Sequence, residues 1–115
     1  MELRSRKIGD VLAVEVRGSA IDAECAEDFR AHLEPHLLQH KKIVLDLRHV
    51  AFADSTGLGA ILGCLHRAAA VGGELRVAGL RPLVQEMFRV LGLSRLVDIH
   101  ATSDDAVAAF APAAV

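Results

Sequence analysis

The chain has no tryptophan and no tyrosine, and four phenylalanines supply all the aromatic side chains among its 115 residues. An aliphatic core follows, and the ring platforms on which nucleic-acid bases stack are not expected. A dominant charge is also missing. The 13 Lys and Arg face 15 Asp and Glu, a net of −2, so no global field draws the chain to DNA, RNA or an anionic membrane. Cysteine is confined to Cys25 and Cys64, which make neither a zinc pattern nor a disulfide framework; buried or half-buried thiols in a reducing cytosol are expected. Residues Met1 to Lys7 lack the apolar core of a signal peptide. No run approaches the ~18 apolar residues of a membrane span. A cytoplasmic protein with no direct membrane insertion and no nucleic-acid partner is expected. What is abundant is apolar residue, 52% against 24% charged, a globular composition at a length that supports one core.

Leu3 and Ile8 are weak strand anchors, and Gly9-Asp10 reads as a hairpin turn into a strand over 11–17, stopped by Gly18. Asp22 is placed to N-cap the next helix. Phe29, Leu33 and Leu37 form that helix's buried edge, and Pro35 is expected to kink it or restart a final turn. The apolar run 43–47 is too short for a helix and rich in branched residues, so it reads as a central strand. Leu58, Ile61, Leu62 and Leu65, extended by Ala69, follow the spacing of an amphipathic helix that Gly72-Gly73 ends. A short strand over 74–78 precedes a helix over 82–91, with Leu83, Met87, Val90 and Leu91 on one side and Gly92 as its cap. A last strand over 97–99 leads to a helix over roughly 103–110, capped by Thr102 or Ser103, with Val107 and Phe110 inward. Pro112 ends the order and leaves 111–115 as a loose tail. The sequence of elements, β-β-α-β-α-β-α-β-α, predicts one α/β domain over 1–110, a mixed central sheet of about five strands with about four helices.

The most informative stretch is Asp54-Ser55-Thr56-Gly57-Leu58-Gly59, reached through a short loop from the central strand. It places a hydroxyl at a helix N-terminus, where backbone N–H groups lack partners and the dipole favours negative charge. A phosphate on Ser55 would add roughly −1.5 to −2 charges there and would stabilise the helix start by ~0.3–1 kcal/mol if exposed. Beside Asp54 and Asp22 it would also make a strongly negative patch, from which a partner fitted to a neutral hydroxyl would be expelled. Opposite the apolar stripe the same helix carries Thr56, Ala60, Gly63 and Arg67. Gly63 in an exposed helix costs about 1 kcal/mol against alanine, and small side chains let another backbone approach. A docking surface running from Ser55 along this helix is one reading. The plainer readings are that Ser55 is an ordinary N-cap and that Gly63 packs under a neighbouring loop.

Leu45-Asp46-Leu47, Val50, Phe52 and the string Asp54–Gly59 resemble the STAS domains of bacterial anti-sigma factor antagonists. The resemblance spans the chain from the first hairpin to the final helix and is strongest over 43–73. It implies the STAS fold, with Ser55 as a phosphoacceptor, Asp54 before it, and Asp22 as a second site aspartate at the first helix. Together with the docking reading of the helix face, this gives an expected partner-binding surface of Asp22, Asp54, Ser55, Thr56, Gly57, Gly59, Ala60, Gly63 and Arg67. The partner implied is an anti-sigma factor that is itself a GHKL-type serine kinase. Unphosphorylated, such proteins hold the kinase and free the sigma factor; phosphorylated, they let go, and a PP2C-type phosphatase restores them. The ATP belongs to the kinase, and no cofactor is implied for this chain. Where the family turn reads Gly-Glu-Leu-Asp or similar, this chain has Gly18-Ser19-Ala20-Ile21-Asp22, without the glutamate and one residue longer. STAS domains also serve transporters, stress-sensing complexes and lipid-trafficking systems. A non-phosphorylated interaction subunit of a lipid-transport or stress-sensing complex is therefore the alternative, and a nucleotide-binding module, without a Gly-rich phosphate cradle, a third. An apolar first hairpin is compatible with a homodimer.

Enzyme chemistry finds no footing. Thr56 interrupts the Asp-Ser-Gly of an aspartic protease, and no second copy exists for a dyad. No Lys follows the glycines as in a P-loop. Ala53 replaces the first glycine of a serine-hydrolase elbow. His32, His36 and His40 recur at helical spacing near Cys25, but a polar helix flank explains them better than a metal site, since no second shell is visible.

Overall fold

A strand that carries apolar side chains without alternation is stable only where both of its faces are covered. In the computed structural model, which describes residues 1–110, the run 43–47 falls on such a strand, β4 (Lys42–Asp46), at the centre of a five-stranded mixed sheet. Parallel to it run β2 (Val11–Val16) and β6 (Glu74–Ala78). Outside them lie β1 (Leu3–Ile8), antiparallel to β2, and β7 (Ile99–His100), parallel to β6. Gly9 turns the hairpin with φ +61°.

Side chains alternate between the two faces of this sheet. Leu12, Val14, Ile43, Leu45, Leu75 and Val77 meet Phe29, Leu33, Leu58, Ile61, Val84 and Phe88 in the main core. Those partners belong to α1 (Ala26–Gln39), α2 (Ser55–Ala70) and α3 (Pro82–Val90). The opposite face presents Val11, Ala13, Val44 and Ala78 to Ala106 and Phe110, at α4 (Ser103–Ala109) and its C-cap. Thr102 caps α4 by accepting from the Asp105 N–H at 3.1 Å.

The mixed sheet and four helices agree with the sequence reading; several details do not. Two short strands were not foreseen, β3 (Ala20–Ile21) and β5 (Phe52–Ala53), which pair with each other in parallel. A 3-10 turn, Leu93–Arg95, follows α3. The last strand lies at 99–100 rather than 97–99. Helix α1 begins at Ala26, with Cys25 and not Asp22 at its N-cap position. It runs through Pro35 to Gln39 as one helix, without restarting. The carbonyl that Pro35 leaves without a donor belongs to exposed Ala31, where water can serve it, and buried Leu33 and Leu37 hold the helix on either side. On α2 the buried set is Gly57, Leu58, Ile61, Cys64 and Ala68; Leu62 and Leu65 are half-buried and Ala69 is exposed. On α3 the buried pair is Val84 and Phe88, while Leu83, Val90 and Leu91 are exposed. The expected tail at 111–115 lies outside the described residues.

Glu15 of β2 sits on the α4 side of the sheet with its side chain 12% exposed. It accepts from Arg48 and, at 3.0 Å, from Arg17 Nη1, and stands 3.1 Å from His49 Nε2. The Arg48 guanidinium first, then Arg17, holds its carboxyl down to about 2, against an ordinary 4.5. Between those values the unfolded chain binds the proton and the folded one does not, so stability rises with pH there. The contribution is complete above pH 4.5 and is lost as pH falls toward 2. Thermal melts across this window are expected to show the wild-type melting temperature falling more steeply on acidification than that of Glu15→Gln. Equal slopes would remove Glu15 from the acid response.

Candidate functional site

The β3–β5 ladder organises the site. Ala20 pairs with Phe52 and Ile21 with Ala53, so the next residue on each strand, Asp22 and Asp54, emerges side by side. Each aspartate then works on a turn. Asp54 is the N-cap of α2, with extended backbone (φ −101°, ψ −178°). Its Oδ1 accepts from the Gly57 N–H at 2.8 Å, and its carbonyl accepts from Leu58 N at 2.9 Å. Its Oδ2 accepts from the Ala23 N–H at 2.9 Å. One carboxylate thus caps a helix and ties down the Asp22 turn. These bonds, Gly57 first and Ala23 second, hold the Asp54 carboxyl below the ordinary carboxylate range, so it is anionic at neutral pH.

Asp22 caps a turn one step upstream of the expected place. Its Oδ1 accepts from Glu24 N at 3.1 Å and Cys25 N at 3.3 Å, and its carbonyl from Ala26 N at 2.8 Å. The Cys25 thiol completes the turn, donating to the Ala20 carbonyl at 3.3 Å and lying 3.4 Å from Asp22 N. Burial pushes the Cys25 thiol up, and it pushes Cys64 up to about 11. Neither is a reactive thiolate.

Ser55 is the first helical residue, exposed, with Asp54 taking the cap role that a serine often fills. The plain N-cap reading of Ser55 therefore does not hold. Thr56, Gly59, Gly63 and Arg67 are exposed on the same helix and Ala60 is half-buried. An added Cβ would meet nothing within 4 Å at Gly59 or Gly63, so Gly63 does not pack under a loop. It opens instead onto a groove of about 170 Å³ between α1 and α2, which Arg30, Glu34 and Arg67 flank. Arg67 Nε lies 3.4 Å from Glu34 Oε1 across that groove. Gly57 is different. It is buried, its Cα pressed on the backbone of β3, and an added Cβ would lie 1.8 Å from the Ile21 carbonyl oxygen. Its place in the site is internal.

His32 and His36 of α1 and His40 at its C-cap do not converge on one point. His32 Nδ1 lies 2.7 Å from the Asp28 carbonyl, while His36 and His40 face each other with ring centroids 6.4 Å apart. Among the described residues no three His, Cys, Asp or Glu are grouped to hold a metal, and no helix is long and apolar enough to cross a membrane.

A mixed sheet with three helices on one face and an exposed serine opening the second helix defines the architecture. The chain belongs to the STAS domain family, whose profile matches residues 2–106. It is 31% identical over 96 residues to the anti-sigma-B factor antagonist of Bacillus subtilis, covering 84% of this chain and 87% of that one. It is 32% identical over 92 residues to the anti-sigma F factor antagonist of Paenibacillus polymyxa, covering 78% of each. The phosphorylated form of the Bacillus cell fate determinant SpoIIAA superposes with a TM-score of 0.71 at 21% identity, over 96% of this chain and 100% of that one.

Proposed function

We propose that this chain is an anti-sigma factor antagonist switched by phosphorylation of Ser55. Unphosphorylated, it binds an anti-sigma factor serine kinase of the GHKL type and so releases a sigma factor. Phosphorylated, it lets the kinase go, and a PP2C-type phosphatase resets it. The ATP is bound by the kinase, and the exchange takes place in the cytoplasm. The observation that carries this reading is Ser55 itself, exposed at the first position of α2 and flanked by an aspartate that backbone bonds keep ionised. The names of the two relatives and the phosphorylated form of SpoIIAA support it.

The helix start accepts the added charge locally, because its N–H groups and dipole favour anions. The partner bears the cost. A surface fitted to a hydroxyl meets three further oxygens and a dianion beside Asp54, with the bulk and repulsion that this brings. Gly59 and Gly63 leave room for the partner's backbone along the helix, and Arg67 with the α1 groove closes the far end. Asp22 contributes by setting the turn that Asp54 holds.

The test is affinity capture with Ser55→Ala and Ser55→Asp baits, followed by labelling with ATP. Ser55→Ala is expected to retain a GHKL kinase at least about tenfold better than Ser55→Asp, and that kinase is expected to label wild type but not Ser55→Ala. Equal retention of some other protein by both baits would overturn the switch and favour a constitutive STAS interaction subunit.

A further inference from the structure

The second face of the sheet is only partly covered. Helix α4 packs over Val11, Ala13, Val44 and Ala78, and toward the carboxyl ends of β2 and β4 the face opens into a cleft of about 620 Å³. That volume lies within the ~300–1,000 Å³ of small-molecule sites. Four arginines line it, Arg4, Arg6, Arg17 and Arg48. Two of them are spent within the protein, since Arg17 and Arg48 both pair with Glu15. Glu15 is also the residue directly across the ladder from Arg4. It already serves two guanidiniums and faces His49, so Arg4 has no carboxylate opposite it to use. Among the described residues neither Arg4 nor Arg6 makes an ion pair. As alternate residues of one strand they share a face, ~7 Å apart along it.

Two guanidiniums without an ion-pair partner on one wall match a phosphate, which accepts bidentate bonds from planar forks. The rest of the lining narrows the ligand. Asp46, Asp104, Thr102 and Ser103 offer acceptors for hydroxyl groups, and Ala13 is the one apolar side chain. No aromatic ring lines the cleft to stack a base, and no aliphatic wall is present to hold an acyl chain. We propose that this cleft binds a small hydrophilic phosphomonoester, of the hexose-phosphate kind. The site lies on the sheet face opposite α2, so it stands or falls independently of the Ser55 switch.

The test is calorimetric titration of the full chain with glucose 6-phosphate, glucose, inorganic phosphate and ADP, with amide shifts followed by NMR. Glucose 6-phosphate is expected to bind with a Kd of about 1 mM or tighter, with glucose inert and the shifts centred on Ala13, Glu15 and Thr102. The Arg4→Ser/Arg6→Ser variant is expected to weaken binding about tenfold or more. Both arginines are exposed on an edge strand, and an unchanged amide spectrum of the free variant would separate lost binding from lost fold. Absence of saturable binding, shifts confined to α2, or unchanged affinity in the folded double variant would overturn the site. Inorganic phosphate or ADP binding as tightly as glucose 6-phosphate would overturn the assignment to a sugar phosphate.

Discussion

Gly57→Ala is expected to destabilise the fold by about 3–5 kcal/mol. The added Cβ would lie 1.8 Å from the carbonyl oxygen and 2.5 Å from the carbonyl carbon of Ile21, with Ile21 Cγ2 at 3.1 Å. Backbone cannot swing aside as a side-chain tip can, so α2 must lift away from β3 or the β3–β5 ladder must break. The helix-propensity gain of about 1 kcal/mol for Gly→Ala offsets only part of this. Gly59 and Gly63, on the same helix, supply the contrast. An added Cβ meets nothing at either position, so alanine there is expected to stabilise by roughly 0.5–1 kcal/mol. At about 4 °C per kcal/mol for a domain of this size, Gly57→Ala should melt roughly 12–20 °C below wild type. Gly59→Ala and Gly63→Ala should melt a few degrees above it. If Gly57→Ala melts near wild type, α2 does not rest on β3 as described. If the proposed kinase docks at this site, the same substitution should impair its capture even where the protein stays folded, because β3 sets Asp22 beside Asp54.

Elements with a strong local signal were legible in the sequence: the hairpin from its Gly9-Asp10 turn, the buried strand β4 from its unbroken apolar run, and α2 with Ser55 at its start from its helical period. The β3–β5 ladder was not, because two residues per strand carry no periodicity to read. Its trace is Gly57, since a glycine inside an otherwise good helix start signals that another backbone comes close. The start of α1 was misplaced because Asp22 does accept from backbone N–H groups as a cap would, but those of a preceding turn. On α3 the pattern was ambiguous. Leu83, Val84, Met87, Phe88 and Val90, with Leu91 at the C-cap, form one apolar arc about 160° wide at about 100° per residue, so spacing alone does not say which edge of that arc is buried. Packing selects Val84 and Phe88, as burial of a phenylalanine removes the largest apolar surface. The site was legible as a set of residue types on one helix, whereas the hydrogen bonds that join Asp54 to the Asp22 turn needed the fold.

Asp54→Ala is expected to have the next largest effect, about 2–3 kcal/mol, because it removes two hydrogen bonds to a charged acceptor at once. The Gly57 N–H is part-buried and loses its partner outright, while the Ala23 N–H is exposed and recovers much of its loss from water. Asp54→Asn separates the two roles. An asparagine caps a helix nearly as well as an aspartate, but its single carbonyl oxygen can serve only one of these N–H groups, and its amide nitrogen accepts from neither. It should therefore keep the Gly57 bond, lose the Ala23 bond, and cost about 1 kcal/mol. Hydrogen exchange reads this residue by residue. In Asp54→Ala both the Gly57 and Ala23 amides should lose protection; in Asp54→Asn only Ala23 should. Loss at Gly57 alone in both variants would mean that Asp54 caps α2 without holding the Asp22 turn. The pH dependence has a definite sign, since a carboxyl held below its ordinary range stabilises the fold above that range and ceases to do so on acidification. On the proposed switch the two aspartates would act as a unit, because releasing the Asp22 turn would alter the surface beside Ser55 without touching the serine. Asp54→Asn, which leaves the helix start capped, should then weaken kinase capture by more than its small stability cost can explain.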